Sequence, residues 1–159
     1  MNAMNSDAKM LEIKNAKMKA LHILSKMDKT EADLRAGLSR TGFSDEAVGA
    51  AIAYVKSYGY INDQAYAEKY VMCYKEKKSK QKMKYELLQK GIDREMIDIA
   101  FEACQDYDEK EAIRRAIRKK WKSEEKPDEK TLYKIFASIS RQGYISCNIW
   151  QVLEEENLT

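Results

Sequence analysis

The apolar positions of this chain follow one template that occurs three times, about 50 residues apart, with a glycine (Gly42, Gly91 or Gly143) inside each copy. Positions eight and four before the glycine and one, six and ten after it are always apolar. They are Leu34, Leu38, Phe43, Val48 and Ile52 in the first copy, Met83, Leu87, Ile92, Ile97 and Phe101 in the second, and Ile135, Ile139, Tyr144, Ile149 and Leu153 in the third. Because only 44% of the chain is hydrophobic, these matches indicate a repeated supersecondary unit.

Glycines followed by an apolar residue predict the ends of helices. Gly42, Gly59, Gly91 and Gly143 have this form, since glycine adopts the left-handed conformation without steric cost and the next residue packs back on the last turn. Polar residues suited to N-caps follow these turns or precede other apolar runs: Thr30 (with Asp33 as a capping box), Ser44, Asn62, Asp93, Asp106, Asp108, Asp128 after Pro127, and Ser146.

These signals predict nine helices and no strand. The helices are expected near 8–27, 31–41, 45–58, 63–77, 80–90, 94–105, 109–122, 128–142 and 147–156. They divide into three three-helix repeats, at 8–61, 62–106 and 107–159, so the predicted fold is all-α. Within the helices, spacings of three and four put one face toward the core or a neighbouring repeat, as in Tyr66, Tyr70 and Tyr74.

Composition excludes several classes of protein. No run of about 18 apolar residues occurs, and the N-terminus has no signal segment, so we expect a cytoplasmic protein without contact to a membrane. Cys73, Cys104 and Cys147 are not spaced as metal ligands and are predicted to be buried, reduced thiols. His22 is the only histidine, and the isolated glycines form no phosphate-binding loop. We therefore expect no catalytic residues, no metal and no cofactor.

Two basic clusters are the candidate binding residues. The first comprises Lys75, Lys77, Lys78, Lys80, Lys82, Lys84 and Lys90, with Tyr85 as an exposed aromatic residue among them. The second comprises Arg114, Arg115, Arg118, Lys119, Lys120 and Lys122. Lysine-rich faces often serve only solubility, but two clusters in adjacent repeats favour a polyanion or an acidic protein surface. The acidic run 154–156 opposes the dipole of the last helix and is predicted to fray.

Four segments resemble the motifs of the RecX family of RecA regulators. They are 59–71 (GYINDQAYAEKYV), 87–93 (LLQKGID), 140–144 (SRQGY), and 29–34 (KTEADL) continuing to Gly42 and Phe43. They stand in the family's order and spacing, and the resemblance covers roughly 18–156. The chain departs from the pattern at 77–80 (KKSK), where many relatives have a turn of the type glycine-aromatic-glycine; the departure adds positive charge.

The resemblance implies a modulator of the RecA recombinase. Members of the family have tandem three-helix repeats in an elongated, curved array, without a cofactor or an active site. They bind in the helical groove of the RecA–DNA filament and restrain its growth, ATP hydrolysis and strand exchange. For this chain, the resemblance implies RecA filaments as the partner, and the basic clusters add single- or double-stranded DNA as a second one. Because no coiled-coil seam is seen, we expect a monomer.

Two other classes of function fit the residues. One is a helical module that binds DNA without sequence specificity, since lysine contacts phosphate and the chain has few clustered Asn, Gln or Arg to contact base edges. The other is a helical adaptor with a different partner, which leaves the resemblance unexplained. An enzyme would need catalytic residues that the sequence does not offer.

Overall fold

The computed structural model describes the backbone of residues 3–104 and 107–159 and, within these ranges, the side chains from residue 5 onward. Within these ranges the chain forms nine α-helices and no strand. They are α1 (Ala3–Lys26), α2 (Glu31–Arg40), α3 (Asp45–Ser57), α4 (Asp63–Tyr74), α5 (Lys80–Gln89), α6 (Arg94–Ala103), α7 (Glu109–Lys120), α8 (Glu129–Arg141) and α9 (Ser146–Glu155). Each predicted helix is present, and the all-α class is confirmed. In the described part, no helix combines the length and the apolar character needed to cross a membrane.

The residues predicted to start and stop helices mostly do so. The four turn glycines, Gly42, Gly59, Gly91 and Gly143, have φ angles between 73° and 100°. Side chains that accept a hydrogen bond from a backbone N–H in the first turn of a helix are Thr30, Ser44, Asn62, Asp93, Asp108 and Asp128. The prediction for Ser146 is wrong, because α9 has Ile145 at its N-cap position and no side-chain cap. Asp106 lies outside the described residues.

The apolar template forms the cores. Of its fifteen positions, fourteen are buried and only Phe43 is half-buried. The first three helices enclose a cluster around Leu34, Leu38 and Ile52, and the last three enclose a similar one around Ile139 and Ile149. The periodicity seen in the sequence is therefore the periodicity of the hydrophobic core.

The chain divides into two compact units, and each contains residues from two copies of the template. The first unit comprises Met1–Ala67 and Leu87–Ile97, and the second comprises Glu68–Glu86 and Asp98–Thr159. The division into three repeats at 8–61, 62–106 and 107–159 stays a prediction. The middle copy supplies its central segment to the first unit and the segments on either side of it to the second, so each unit has an internal contact between neighbouring copies.

In the first unit, this contact joins the start of α2 to the turn at Gly91. Thr30, which is fully buried, donates a 2.8 Å hydrogen bond from its hydroxyl to the carbonyl oxygen of Lys90 and also caps α2. The backbone N–H of Glu31 donates to the carboxylate of Asp63 at 2.9 Å. A Cβ atom at position 91 would collide with the Cβ of Ala32, so glycine is needed here for space as well as for its φ of 83°.

Two predictions about side chains are wrong in part. On α4 the core face is formed by Ala67 and Val71, whereas Tyr66 and Tyr70 are half-buried and Tyr74 is exposed. A tyrosine hydroxyl needs water or a polar partner, so smaller apolar residues occupy the buried face. Of the three thiols only Cys104 is buried, while Cys73 and Cys147 are exposed and free.

Candidate polyanion-binding cleft

The turn after α4 carries part of the first basic cluster, and buried Ser79 fixes its position in the second unit. The Ser79 hydroxyl donates a 2.8 Å hydrogen bond to the carbonyl oxygen of Gln142 and accepts one from the backbone N–H of Lys82. A Cβ atom at Gly143 would stand 2.8 Å from the Ser79 oxygen, so the two turns approach this closely only with glycine. The segment 77–80 therefore has a defined place beside the 142–144 turn.

Helix α7 carries the second basic cluster and begins at Asp108, whose carboxylate accepts hydrogen bonds from the backbone N–H groups of Lys110 and Glu111. Its buried face consists of Ala112, Ile113 and Ile117. Since apolar residues at spacings of one, four and five occupy one side of the helix, most of the basic residues lie on the remaining surface. The second basic cluster thus lies mainly on the side of α7 that faces away from the core.

Members of both basic clusters line one cleft in the second unit. Its volume is about 270 Å³, and it lies among the turn after α4, helix α7 and the turn between α8 and α9. The lining residues are Glu76, Lys77, Ala112, Arg115, Ala116, Lys119, Lys120, Gln142 and Tyr144. Four of these side chains are cations and one is a carboxylate. The cleft therefore has the charge of an anion-binding site.

The single carboxylate of the cleft, that of Glu76, leaves most of the positive charge of the cleft available to a ligand. Glu76 lies 3.7 Å from Arg115, with both side chains well exposed, so their ion pair is weak and easily exchanged for an anion. Lys77, Lys119 and Lys120 form no ion pair within the described ranges. These three lysines are the residues of the cleft that we expect to meet an anionic partner first.

Tyr144 lines the same cleft, although the sequence identified it only as a core position of the template. The residue is 4% exposed, and burial followed by the charge of Glu109 raises the pKa of its phenol. A tyrosine hydroxyl is protonated at neutral pH even without this shift, so it can act as a hydrogen-bond donor. Glu76 and Gln142 were missed as well, because nothing in their local sequence distinguishes them from surface residues.

Lys78 and Lys84 belong to the first cluster but are engaged within the unit. The Lys78 ammonium lies 2.6 Å from a carboxylate oxygen of Glu86 and 3.0 Å from the hydroxyl of Tyr70. It also lies 4.1 Å from the ring centroid of Tyr74, which is a cation–π distance. Lys84 pairs with Asp98 at 3.3 Å. The structure thus assigns Lys78 a role in packing, and the tyrosines of α4 hold it in place.

Arg114 and Arg118 of the second cluster are paired with the end of the last helix. Arg114 contacts Glu155 and Glu156 at 2.8 and 2.9 Å, and Arg118 contacts Glu156 at 3.1 Å. Hydrogen bonding to Glu111, and then the other carboxylates, raises the pKa of Arg114 against the effect of burial. The prediction that the acidic run frays is wrong for this reason: the carboxylates of Glu155 and Glu156 pair with arginines of α7.

The remaining predicted residues lie outside the cleft lining. The Lys80 ammonium is 5.2 Å from the ring centroid of Phe101, and its backbone N–H donates to the hydroxyl of Tyr107 at 2.8 Å. Tyr85 is exposed, as predicted. Lys82 and Lys122 are exposed, Lys75 is half-buried in the turn, and Lys90 pairs with Asp33 in the first unit at 3.6 Å. Among the described residues, no group of three or more His, Cys, Asp or Glu side chains could hold a metal ion.

Comparison with known proteins agrees with the resemblance seen in the sequence. Residues 62–100 match the family model described as RecX, second three-helix domain. The regulatory protein RecX of Clostridium acetobutylicum is 30% identical over 145 residues, which are 88% of this chain and 68% of that protein. This chain belongs to the RecX family.

Other RecX proteins support the assignment and set its extent. The regulatory protein RecX of Caldanaerobacter subterraneus subsp. tengcongensis is 37% identical over 115 residues, or 69% of this chain. The match spans 57% of the length of that relative. A crystal structure of regulatory protein RecX superposes with a TM-score of 0.82 at 21% identity, covering 95% of this chain and 76% of the other. That likeness confirms the fold.

Proposed function

We propose that this RecX-family chain is a non-enzymatic modulator of RecA, which binds the RecA–DNA filament and restrains filament growth, ATP hydrolysis and strand exchange. The observation that carries the proposal is the meeting of Lys77 with Arg115, Lys119 and Lys120 in one cleft. A filament offers an anionic nucleic-acid backbone within a protein polymer, and a cationic cleft on a helical scaffold is suited to it. The protein acts without a cofactor, as a monomer, in the cytoplasm.

The chemistry of the cleft favours phosphate contacts without selection of base sequence. Lysine ammonium groups act as point charges, whereas base edges are read by side chains that form paired hydrogen bonds. Three of the four cations in the cleft are lysines, and the arginine is near Glu76. Each phosphate that is neutralised releases counterions, so binding should weaken steeply as the salt concentration rises.

A non-sequence-specific DNA-binding module is the second candidate function. The same cleft favours it, because cations that contact phosphate in a filament would also contact bare DNA. The two functions differ in what the protein recognises: the modulator should prefer the filament, and the module should bind bare DNA equally well.

The test is DNA-dependent ATP hydrolysis by the cognate RecA on single-stranded DNA, with this protein added at low molar ratio. If the protein is the modulator, it should reduce the rate of ATP hydrolysis when fewer than one molecule is present per RecA subunit. Its binding to bare DNA at the same salt concentration should stay weak. Unchanged hydrolysis together with tight binding to bare DNA would instead establish the DNA-binding module.

A charge-matched pair of variants connects the function to the cleft. The triple variant Lys77→Gln/Lys119→Gln/Lys120→Gln should lose most of the effect on hydrolysis and show a smaller dependence on salt. The control, Lys19→Gln/Lys26→Gln/Lys130→Gln, removes the same charge from exposed lysines that do not line the cleft. If both triples behave alike, only net charge matters and the cleft is not the site.

A further inference from the structure

The first unit carries an open apolar groove beside helix α1. It has a volume of about 420 Å³ and is lined by Met10, Ile13, Lys14, Lys17, Met18 and Leu21 of α1 and by Tyr54 of α3. Counted from Met10, the α1 residues fall at spacings of three, four, seven, eight and eleven, which place them on one side of the helix. The groove is thus a property of one continuous helical face.

This face is distinct from the one that α1 buries. Ala16 and Ala20 are fully buried against the core of the first three helices. By contrast, Met10 and Met18 are 66% and 59% exposed. Ile13 and Leu21 are half-buried between the two faces and pack against the core. In the described part of the first unit, the two methionines stay open to solvent.

Aromatic side chains extend the apolar surface beyond the groove. Tyr54 contacts Tyr58 edge-to-face at 5.1 Å between ring centroids, and Tyr58 stacks on Tyr60 at 5.7 Å. Tyr58 and Tyr60 are 61% and 55% exposed. Tyrosine and methionine are enriched at protein–protein interfaces, where methionine adapts its shape to the partner. A contiguous exposed apolar surface of this kind commonly marks a site of interaction with another molecule.

The charges beside the groove indicate what the partner carries. Lys14 and Lys17 are the charged residues of the lining, which contains no carboxylate. The Lys17 ammonium lies 4.9 Å from the ring centroid of Tyr54 and so adds positive charge to the groove itself. A complementary segment would present apolar side chains to the methionines and carboxylates to the lysines.

We propose that this groove binds the protein component of the filament, through an apolar segment of RecA flanked by carboxylates. The inference rests on the proposed function and deepens it: the second unit contacts phosphate through its cleft, and the first unit contacts protein through its groove. Apolar contact is largely independent of ionic strength, whereas the phosphate contacts are not. The contributions of the two surfaces to binding can therefore be distinguished by measuring affinity at different salt concentrations.

The experiment compares the binding of two variants to immobilised RecA filaments by biolayer interferometry. Met10→Ser/Met18→Ser should raise the Kd about tenfold at both low and high salt, as expected for the loss of two central apolar contacts. The control, Leu11→Ser, changes a residue of α1 that is 58% exposed but does not line the groove, and should leave the Kd unchanged. Since all three side chains are exposed, helix content and Tm should stay the same in both variants.

Each other outcome overturns the inference in a recognisable way. If the unchanged protein binds filaments but Met10→Ser/Met18→Ser binds equally well, the groove is not a contact and the proposed function stands. If the unchanged protein does not bind filaments, both proposals fail together. If the double variant loses affinity for bare single-stranded DNA to the same extent, the surface stacks on bases and its partner is nucleic acid.

Lys14 tests the charge of the partner separately. Lys14→Glu should weaken filament binding at low salt, because the new carboxylate would face those of RecA, and the loss should shrink at high salt. Equal or tighter binding by Lys14→Glu would contradict an acidic partner segment. The side chain is exposed and forms no ion pair within the described ranges, so the substitution should not affect folding.

Discussion

The hydroxyl of Ser79 donates a hydrogen bond to the carbonyl oxygen of Gln142, 63 residues later. Thr30 occupies the equivalent position in the first copy of the template, and its hydroxyl donates in the same way to the carbonyl oxygen of Lys90. Both hydroxyls are fully buried, both cap the helix that follows, and both accept from an N–H three residues on. The acceptor in each case is the carbonyl that precedes a left-handed glycine. Neighbouring copies of the template are therefore joined by one recurring contact inside each unit.

Removing either hydroxyl should destabilise the protein more than the loss of an ordinary cap does. Ser79→Ala and Thr30→Ala each remove a cap and also remove the hydrogen-bond donor of the Gln142 or Lys90 carbonyl oxygen, at a cost of about 2–4 kcal/mol of unfolding free energy. Ser44→Ala is the matched control, since Ser44 caps α3 through Ala47 at an exposed site and should cost about 1 kcal/mol. Urea unfolding followed by circular dichroism measures all three. Equal losses would mean that the long-range bonds contribute nothing.

The turn glycines should differ in their tolerance of alanine. Gly42→Ala meets no atom within 4 Å, so it should cost only the left-handed backbone strain, about 1–2 kcal/mol. Gly91→Ala and Gly143→Ala carry the same strain and in addition a collision with Ala32 or Ser79, so their unfolding midpoints should fall further. Thermal denaturation of the three variants ranks them. If Gly42→Ala were as unstable as Gly91→Ala, the close approach of Gly91 to Ala32 would be contradicted.

Neighbouring lysines of the first basic cluster should separate stability from binding. Lys78→Gln loses its contacts with Glu86 and the tyrosines of α4, so it should lower the Tm while leaving the affinity for filaments nearly unchanged. Lys77→Gln should do the opposite, because Lys77 is exposed and lines the cleft. Differential scanning calorimetry and filament binding at two salt concentrations give both readouts. If Lys78→Gln lowered the affinity for filaments at an unchanged Tm, Lys78 would have to be assigned to the binding surface instead.

Acid should weaken the start of α8 in a defined way. The side-chain hydrogen bond from Thr131, followed by its backbone N–H, lowers the pKa of the exposed Asp128 carboxylate. Since the folded-state pKa lies below the unfolded value, the cap stabilises the fold above the ordinary Asp range and is lost as pH falls through the lowered pKa. NMR titration should show that Thr131→Val raises the pKa of Asp128 toward its usual value. An unchanged pKa would exclude the Thr131 hydroxyl as the main cause.

The features that could be predicted from the sequence are those that depend on residues close together in the chain, such as the ends of helices. Gly143 with Tyr144 marked the end of α8, and Asp128 marked its start, because turn and cap chemistry lies within a few residues. The core was equally accessible, since burial on a helix follows a period of three to four. The same local logic failed at Ser146, where the helix begins at an apolar N-cap residue.

The candidate cleft was predictable only in part, for a physical reason. Charge clusters can be counted in a sequence, but which charges remain available depends on partners distant in the chain. Arg114 is paired with Glu155, 41 residues away, and Arg118 with Glu156, so two of the six basic residues of the second cluster are engaged within the unit. Lys77 and Lys119 come together because Ser79 ties the turn to Gln142, and no local pattern reports such a contact.

The sharing of the middle template copy between two units determines where the polypeptide can be divided. A fragment that stops at residue 61 keeps Thr30 and Ala32 but removes the Lys90 carbonyl and the Gly91 turn that cover them. The severed piece would expose the hydroxyl of Thr30, which is fully buried in the intact unit, and it would become prone to aggregation. Expression of isolated parts should therefore follow the contacts of Thr30 and Ser79 rather than the sequence period, because excision of one period leaves an unfinished core on both sides of the cut.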